Sequence, residues 1–168
     1  MAGLYPVDLD YANALLVEWE HKLGPCERPF GSEAFVLELD GRPISVSISA
    51  STVSDTVAGK DRAGLRVEWE RGEVVELARL ASVNRWVNRI MLRLWRETCG
   101  PRWAYWPVKA AISYSKNALH TGDLYRFDGW ERIKTDAGSS GGGTYTRKRY
   151  ADDVVLGSKS LWVWRYAA

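Results

Sequence analysis

The sequence predicts a single domain of the α/β (α+β) class spanning residues 1–168, and three observations predict it. The chain has 168 residues, 46% of them apolar, with nine tryptophans. That is enough for one sizeable core and too little for two comfortable ones. Two stretches place apolar residues at helical spacing. Around them lie several strand-length stretches that alternate or run apolar, broken by Gly, Pro and Asp-Gly signals.

The elements follow in order. Leu9, Ala12, Leu16, Trp19 and Leu23 recur at three- and four-residue spacing, which predicts a helix from Asp8 to Lys22 that Gly24-Pro25 ends. Residues Ala34 to Leu39 and Ile44 to Ser51 form a hairpin through Asp40-Gly41, with Ile44, Val46 and Ile48 alternating with serines. The polar stretch Thr52 to Gly64 reads as a mobile loop. Leu65 to Trp69 and Val74 to Leu80 read as strands. Val83, Val87, Ile90, Met91 and Leu94 set a helix of about fifteen residues, stopped by Gly100-Pro101. A strand falls within Trp103 to Ser115, a short helix over His120 to Phe127, a strand after Gly129, and a last strand at Leu161 to Tyr166. Gly138 to Gly143 reads as a flexible loop too short to separate domains.

Composition excludes several classes. A formal charge of +2 gives no global nucleic-acid signature, so any basic surface is local. No apolar run reaches the roughly 20 residues that span a bilayer. Met1-Ala2-Gly3-Leu4 leads into acidic residues without a signal-peptide layout. Cys26 and Cys99 lack metal spacing and read as reduced thiols, with a disulfide as the alternative. These features point to a cytoplasmic location without a membrane partner.

The segment Ile112 to Trp130 carries the most information. Its ending, Leu124-Tyr125-Arg126-Phe127-Asp128-Gly129-Trp130, resembles the LY-x-x-x-G-F/W signature of GNAT acyl-CoA N-acyltransferases. Together with Ser113-Tyr114-Ser115 and His120-x-Gly122-x-x-Tyr125, it is similar to the Mom family of phage DNA-modification proteins within that superfamily. The order of helices and strands also resembles the GNAT order. That likeness implies a mixed, mostly antiparallel sheet flanked by helices, with two central strands splaying apart to hold acetyl-CoA.

The resemblance implies roles for particular residues. Tyr125 protonates the leaving thiolate, and His120, Ser113 or Ser115 assists deprotonation of the acceptor. The donor's phosphates lie at the strand-to-helix junction, where Arg79, Leu80, Ala81, Asn84, Arg85, Asn88 and Arg89 are the candidates. The glycine-rich phosphate loop usual in GNAT proteins is absent there; Arg79, Leu80 and Asn88 match the Mom pattern instead. Tyr114, Lys116, Arg147, Lys148 and Arg149 are candidates for contact with DNA, the substrate that the Mom likeness implies, in a phage setting of protection against restriction. His21 resembles a histidine of a family iron site. Lys116 stands where the family has an aspartate, and a lysine at neutral pH is a poor metal ligand. Arg93 and Arg96 continue the arginine row on the long helix and fit an ordinary solvated face equally well. Two other readings stay open: a GNAT enzyme acting on a small-molecule or protein amine, and a non-catalytic binding module.

Overall fold

A computed structural model describes residues 1–28, 30–137 and 158–167. The loop expected at Gly138 to Gly143 and the DNA-contact candidates Arg147, Lys148 and Arg149 lie outside those residues. Periodicity gives no hint of the first element, β1 (Ala2–Val7), an antiparallel edge strand paired from Ala2↔Leu39 to Val7↔Ala34. Its Pro6 lacks an N–H and is tolerated because an edge strand has one neighbour only.

Helix α1 (Leu9–Glu18) stops well before Lys22. Glu20 takes a left-handed conformation, φ 50°. Around it the His21 amide donates to Leu16 O at 2.8 Å and the Glu20 amide to Val17 O at 3.1 Å. This is a Schellman ending with glutamate where glycine is usual, so Gly24 is not the stop. The ending turns His21 back toward the sheet.

Strands β2 (Ser32–Leu39) and β3 (Arg42–Ala50) form the expected hairpin, with Asp40 and Gly41 at φ 50° and 74°. Two left-handed residues in a row suit the twist of a two-residue hairpin. The expected loop Thr52 to Gly64 instead contains β4 (Thr56–Lys60), which pairs with β5 (Arg66–Glu70) as a separate two-stranded sheet. Only Val57 of β4 is buried, too little apolar content to show a period. The hairpin lies on the main sheet at Gly59, where an added Cβ would stand 2.8 Å from Ile133.

The remaining elements are β6 (Val74–Ser82), α2 (Arg85–Leu94), β7 (Ala110–Lys116), α3 (Asp123–Asp128), β8 (Glu131–Ala137) and β9 (Lys159–Arg165). A π-turn at Trp95–Cys99 and a 3₁₀ turn at Gly100–Arg102 extend α2. The buried stripe of this helix differs from the expected one. Met91, Leu92, Trp95 and Cys99 face the core, whereas Val83 and Ile90 are exposed.

The main sheet has the order β1-β2-β3-β6-β7-β9-β8. Every pairing is antiparallel except β6 with β7. That parallel contact runs only from Val74↔Ala110 to Leu77↔Ser113, after which the two strands separate. A bulge on β6 accompanies the separation, since β3 pairs Ser49 with Leu77 and then Ile48 with Arg79, skipping Ala78. Helix α1 covers one half of one sheet face, over Val36, Val46 and Ile48. The β4–β5 hairpin covers the other half over Ile112, Leu161 and Val163. Helices α2 and α3 cover the opposite face around Trp95, Tyr125, Trp130 and Trp162. The expected mixed sheet with splayed central strands is therefore what the chain forms.

Candidate active site

The signature around Tyr125 has a mechanical explanation. Helix α3 ends in a second Schellman arrangement: the Gly129 amide donates to Arg126 O at 3.2 Å and the Trp130 amide to Tyr125 O at 3.0 Å, with Gly129 at φ 91°. Glycine supplies the left-handed residue, and Trp130 folds back edge-on to Tyr125 at 5.5 Å between ring centroids. On its other side Tyr125 stacks on Trp162 at 5.6 Å. At the helix start Gly122 has φ 80° and lies so close to the Trp162 ring that a Cβ would stand 2.2 Å from it. These contacts hold Tyr125 rigidly at the point where β6 and β7 part.

There the Tyr125 hydroxyl lies 2.8 Å from Ser113 Oγ, and Ser113 Oγ donates to Leu77 O at 3.1 Å. A serine has one hydroxyl proton, so with that proton on Leu77 the tyrosine is the donor to Ser113. Burial, helped by the charge on Glu76, pushes the Tyr125 hydroxyl pKa up against the opposing bond to Ser113. The phenol therefore keeps its proton at neutral pH. Ser115 is also buried on this face, but its Oγ accepts from Trp162 Nε1 at 2.9 Å and holds the ring rather than facing the vertex.

The opposite face of the vertex carries residues that periodicity does not single out. A lone carboxylate inside the apolar run Val74 to Ala78 is the signal that finds Glu76. It pairs across β6 and β7 with Ile112, one position before the strands separate. Its side chain is 8% exposed and accepts from Arg28 Nη2 at 2.9 Å. Burial raises its pKa above the usual carboxylate range, opposed by the charges of Arg28, Arg79 and Lys159. Tyr114 emerges from β7 on the same face, with its pKa pushed up to about 12 by burial and then by Glu76. Cys26 is a buried free thiol beside Arg28 and Arg79, and burial raises its pKa.

Arg79 does not extend into the cleft as a phosphate ligand. Its guanidinium donates to Gly24 O at 2.9 Å, Ala78 O at 2.8 Å, Pro25 O at 3.0 Å and Leu23 O at 3.3 Å, pinning the segment after α1 to β6. His21 lies beside it. Its Nδ1 accepts from the Leu23 amide at 3.3 Å, which places the neutral ring's proton on Nε2. Burial lowers its pKa to about 4, helped by Arg79 and then by His120, while a bond to the Leu80 backbone acts the other way. His120 lies in the exposed turn before α3 rather than on the helix itself. No group of three or more His, Cys, Asp or Glu side chains that would hold a metal occurs among the described residues. The described residues therefore do not supply the ligand set of an iron centre.

At the start of α2, Asn84 Oδ1 accepts from the Trp86 and Val87 amides at 3.0 and 3.2 Å. The first-turn donors that an anion would use are capped by the chain itself. Ser82 Oγ lies 2.7 Å from Asn88 Oδ1, tying this turn to β6. Arg85 and Arg89 remain exposed, both over the Trp86 ring. Leu80 and Ala81 line β6 beyond the parting of the strands. Farther along α2 the arginines are tied down: Arg96 is buried, donating to Asp128 Oδ2 at 2.6 Å and packing on Trp164, and Arg93 lies 3.6 Å from Asp128. Lys116 closes β7 opposite Lys159.

This architecture is the GNAT acetyltransferase fold, and solved structures bear that out. A GNAT family acetyltransferase from Elizabethkingia anophelis with acetyl-CoA bound matches with a TM-score of 0.53 at 10% identity, covering 98% of each chain. A Bacillus subtilis acetyltransferase in complex with CoA matches with a TM-score of 0.54 at 9% identity, over 99% of this chain and 100% of the other. A probable acetyltransferase from Staphylococcus epidermidis reaches a TM-score of 0.56 at 9% identity over the same shares. No family model and no curated protein matches by sequence. No helix among the described residues is long and apolar enough to cross a membrane.

Proposed function

We propose that this protein is an acyl-CoA-dependent N-acyltransferase of amines. One observation carries the reading: the one parallel strand pair among the described residues parts at Leu77↔Ser113, with the Tyr125 hydroxyl on one face and the buried Glu76 carboxylate on the other. The GNAT structures solved with acetyl-CoA or CoA support it by fold. The donor's pantetheine arm would lie along β6 beyond Leu77, past Leu80 and Ala81, with its phosphates toward Arg85 and Arg89. Because Asn84 already caps the first-turn amides, these two cations carry more of the anion binding than a glycine loop would leave to them.

In the reaction a neutral amine nitrogen attacks the thioester carbonyl carbon and the C–S bond breaks. The amine proton passes to Glu76, whose raised pKa brings it nearer the working range of a base. Tyr125 gives its proton to the departing thiolate. The products are an amide and a free thiol, and the proton on Glu76 returns to Tyr125 through solvent. Titration calorimetry with coenzyme A tests the reading. Binding tighter than about 1 mM, roughly 4 kcal/mol, is expected, and a folded sample that takes up none overturns it. Binding without turnover on any amine would favour the non-catalytic module.

A second reading concerns the acceptor. The pattern His120-x-Gly122-x-x-Tyr125 and the cationic run Arg147, Lys148 and Arg149 favour a nucleobase amine in phage DNA, modified against restriction. A base must leave the stack to reach the thioester. Arg93 and Arg96 are engaged by Asp128, which withdraws half of the helix's arginine row from any phosphate, so a small amine is the acceptor the geometry favours. Mass spectrometry of nucleosides from DNA of expressing cells separates the two.

A further inference from the structure

The Arg28–Glu76 pair is incomplete. Arg28 Nη2 donates to Glu76 Oε1 at 2.9 Å, but Arg28 Nη1 is buried with no hydrogen-bond partner among the described residues. A guanidinium held out of water is stable only when its remaining N–H groups are satisfied, and a buried ion pair is retained at the expense of both hydration shells. The Tyr114 hydroxyl on the same face feels the charges of both Arg28 and Glu76. It makes no hydrogen bond to the described residues. Arg28 Nη1 thus lacks an acceptor beside the Glu76 carboxylate, on the face where the Tyr114 hydroxyl also lies.

We propose that the acceptor is a small zwitterion, an amine carrying a carboxylate a few bonds away, of the amino-acid class. Its carboxylate lies on Arg28 Nη1 and the Tyr114 hydroxyl, and its ammonium lies on Glu76. The ligand's two charges then complete the ion pair rather than compete with it. The ammonium gives its first proton to solvent, which frees the nitrogen lone pair for the thioester, and Glu76, still ionised, takes the second proton as the amide forms. A neutral or purely cationic amine would leave Arg28 Nη1 buried and unpaired, which is how such a site rejects analogues that lack the matching group. Arg28 belongs to the stretch after α1 that Arg79 pins to β6 through Leu23, Gly24 and Pro25. The guanidinium is thus presented on a fixed support.

This inference rests on the acyltransferase reading, and its test separates the two. Matched acceptors are supplied with acetyl-CoA and thiol release is followed: α- and ω-amino acids, each beside its carboxamide and its decarboxylated amine. The carboxylate member of a set should be preferred by about 10- to 100-fold in kcat/KM, the worth of a charge-assisted hydrogen bond. Arg28→Gln should erase that preference through KM while coenzyme A affinity by calorimetry is unchanged, and Arg28→Lys should restore part of it. Equal rates across a set, preference for the uncharged member, or no acylation of any amino acid overturns the proposal. Coenzyme A binding by the same sample then decides whether the acyltransferase reading falls with it. Should Arg28→Gln fail to fold, the acceptor sets with the parent protein settle the matter alone.

Discussion

The two faces of the β6–β7 vertex are built on opposite principles. On the α2–α3 face the polar groups satisfy one another: Tyr125 on Ser113, Ser113 on Leu77, Trp162 on Ser115, Trp130 on Asp128. The rings around them are buried and in mutual contact. On the α1–hairpin face the same strands hold a buried ion pair whose Arg28 Nη1 has no partner among the described residues. Around Tyr125 the first face is complete among the described residues, with unpartnered groups farther off, as at Trp103 Nε1 and the Tyr166 hydroxyl; on the proposed reading a substrate completes the second. Leaving-group chemistry tolerates a rigid donor because the thiolate always departs from the same place. Acceptor recognition requires open valences.

The largest effect expected from breaking this contrast is at Glu76. Glu76→Gln should lower kcat/KM by about 10²–10⁴-fold through loss of the base. It should also remove roughly 3–5 kcal/mol of stability, because Arg28 is left buried beside no charge. On the acyltransferase reading, the rate of the parent protein should rise with pH and flatten above a midpoint higher than an ordinary carboxylate's, since only ionised Glu76 accepts the proton. A pH profile flat through this range, or a glutamine variant of full activity, would remove Glu76 from the chemistry.

Tyr125→Phe sharpens the comparison from the other face. Turnover should fall by about 10²–10³-fold. Stability should change by only about 0.5–1.5 kcal/mol, one net hydrogen bond, because the ring stays stacked between Trp130 and Trp162. Thermal melts that fall in step with activity would reduce Tyr125 to a packing residue.

The smallest effect belongs to His21, at the exit of α1. Its folded pKa of about 4 lies below the ordinary histidine value of 6.5. The unfolded chain therefore takes up a proton below pH 6.5 that the folded chain refuses until about pH 4, so stability falls as pH drops through that window. His21→Gln should flatten that part of the stability–pH curve. An unaltered curve would show that the imidazole is solvated and outside the cleft.

Much of the fold was legible because local rules and tertiary packing agree. The Asp40-Gly41 hairpin needs two left-handed residues, and few dipeptides adopt them as readily. Leu124-Tyr125 and Gly129-Trp130 form a helix ending whose geometry is local, so a seven-residue signature placed the Tyr125 ring and, with it, the expected sheet. The misses have physical causes as well. Strand β1 and strand β4 bury too few side chains to show a period. Helix α1 ends on Glu20, a residue type that seldom takes φ 50°.

From its own residues the sequence determined the hairpin and the long helix, since hydrophobic period and turn chemistry act over a few residues, and its GNAT resemblance pointed to the mixed sheet and to Tyr125. Only the tertiary structure decided which charges meet. Arg79 went to the carbonyls of Leu23, Gly24 and Pro25, Arg96 to Asp128, and Arg28 to Glu76 across 48 positions of chain. An ionic side chain has no period to betray its partner. What it does is set by the burial and by the neighbours that long-range pairing brings to it.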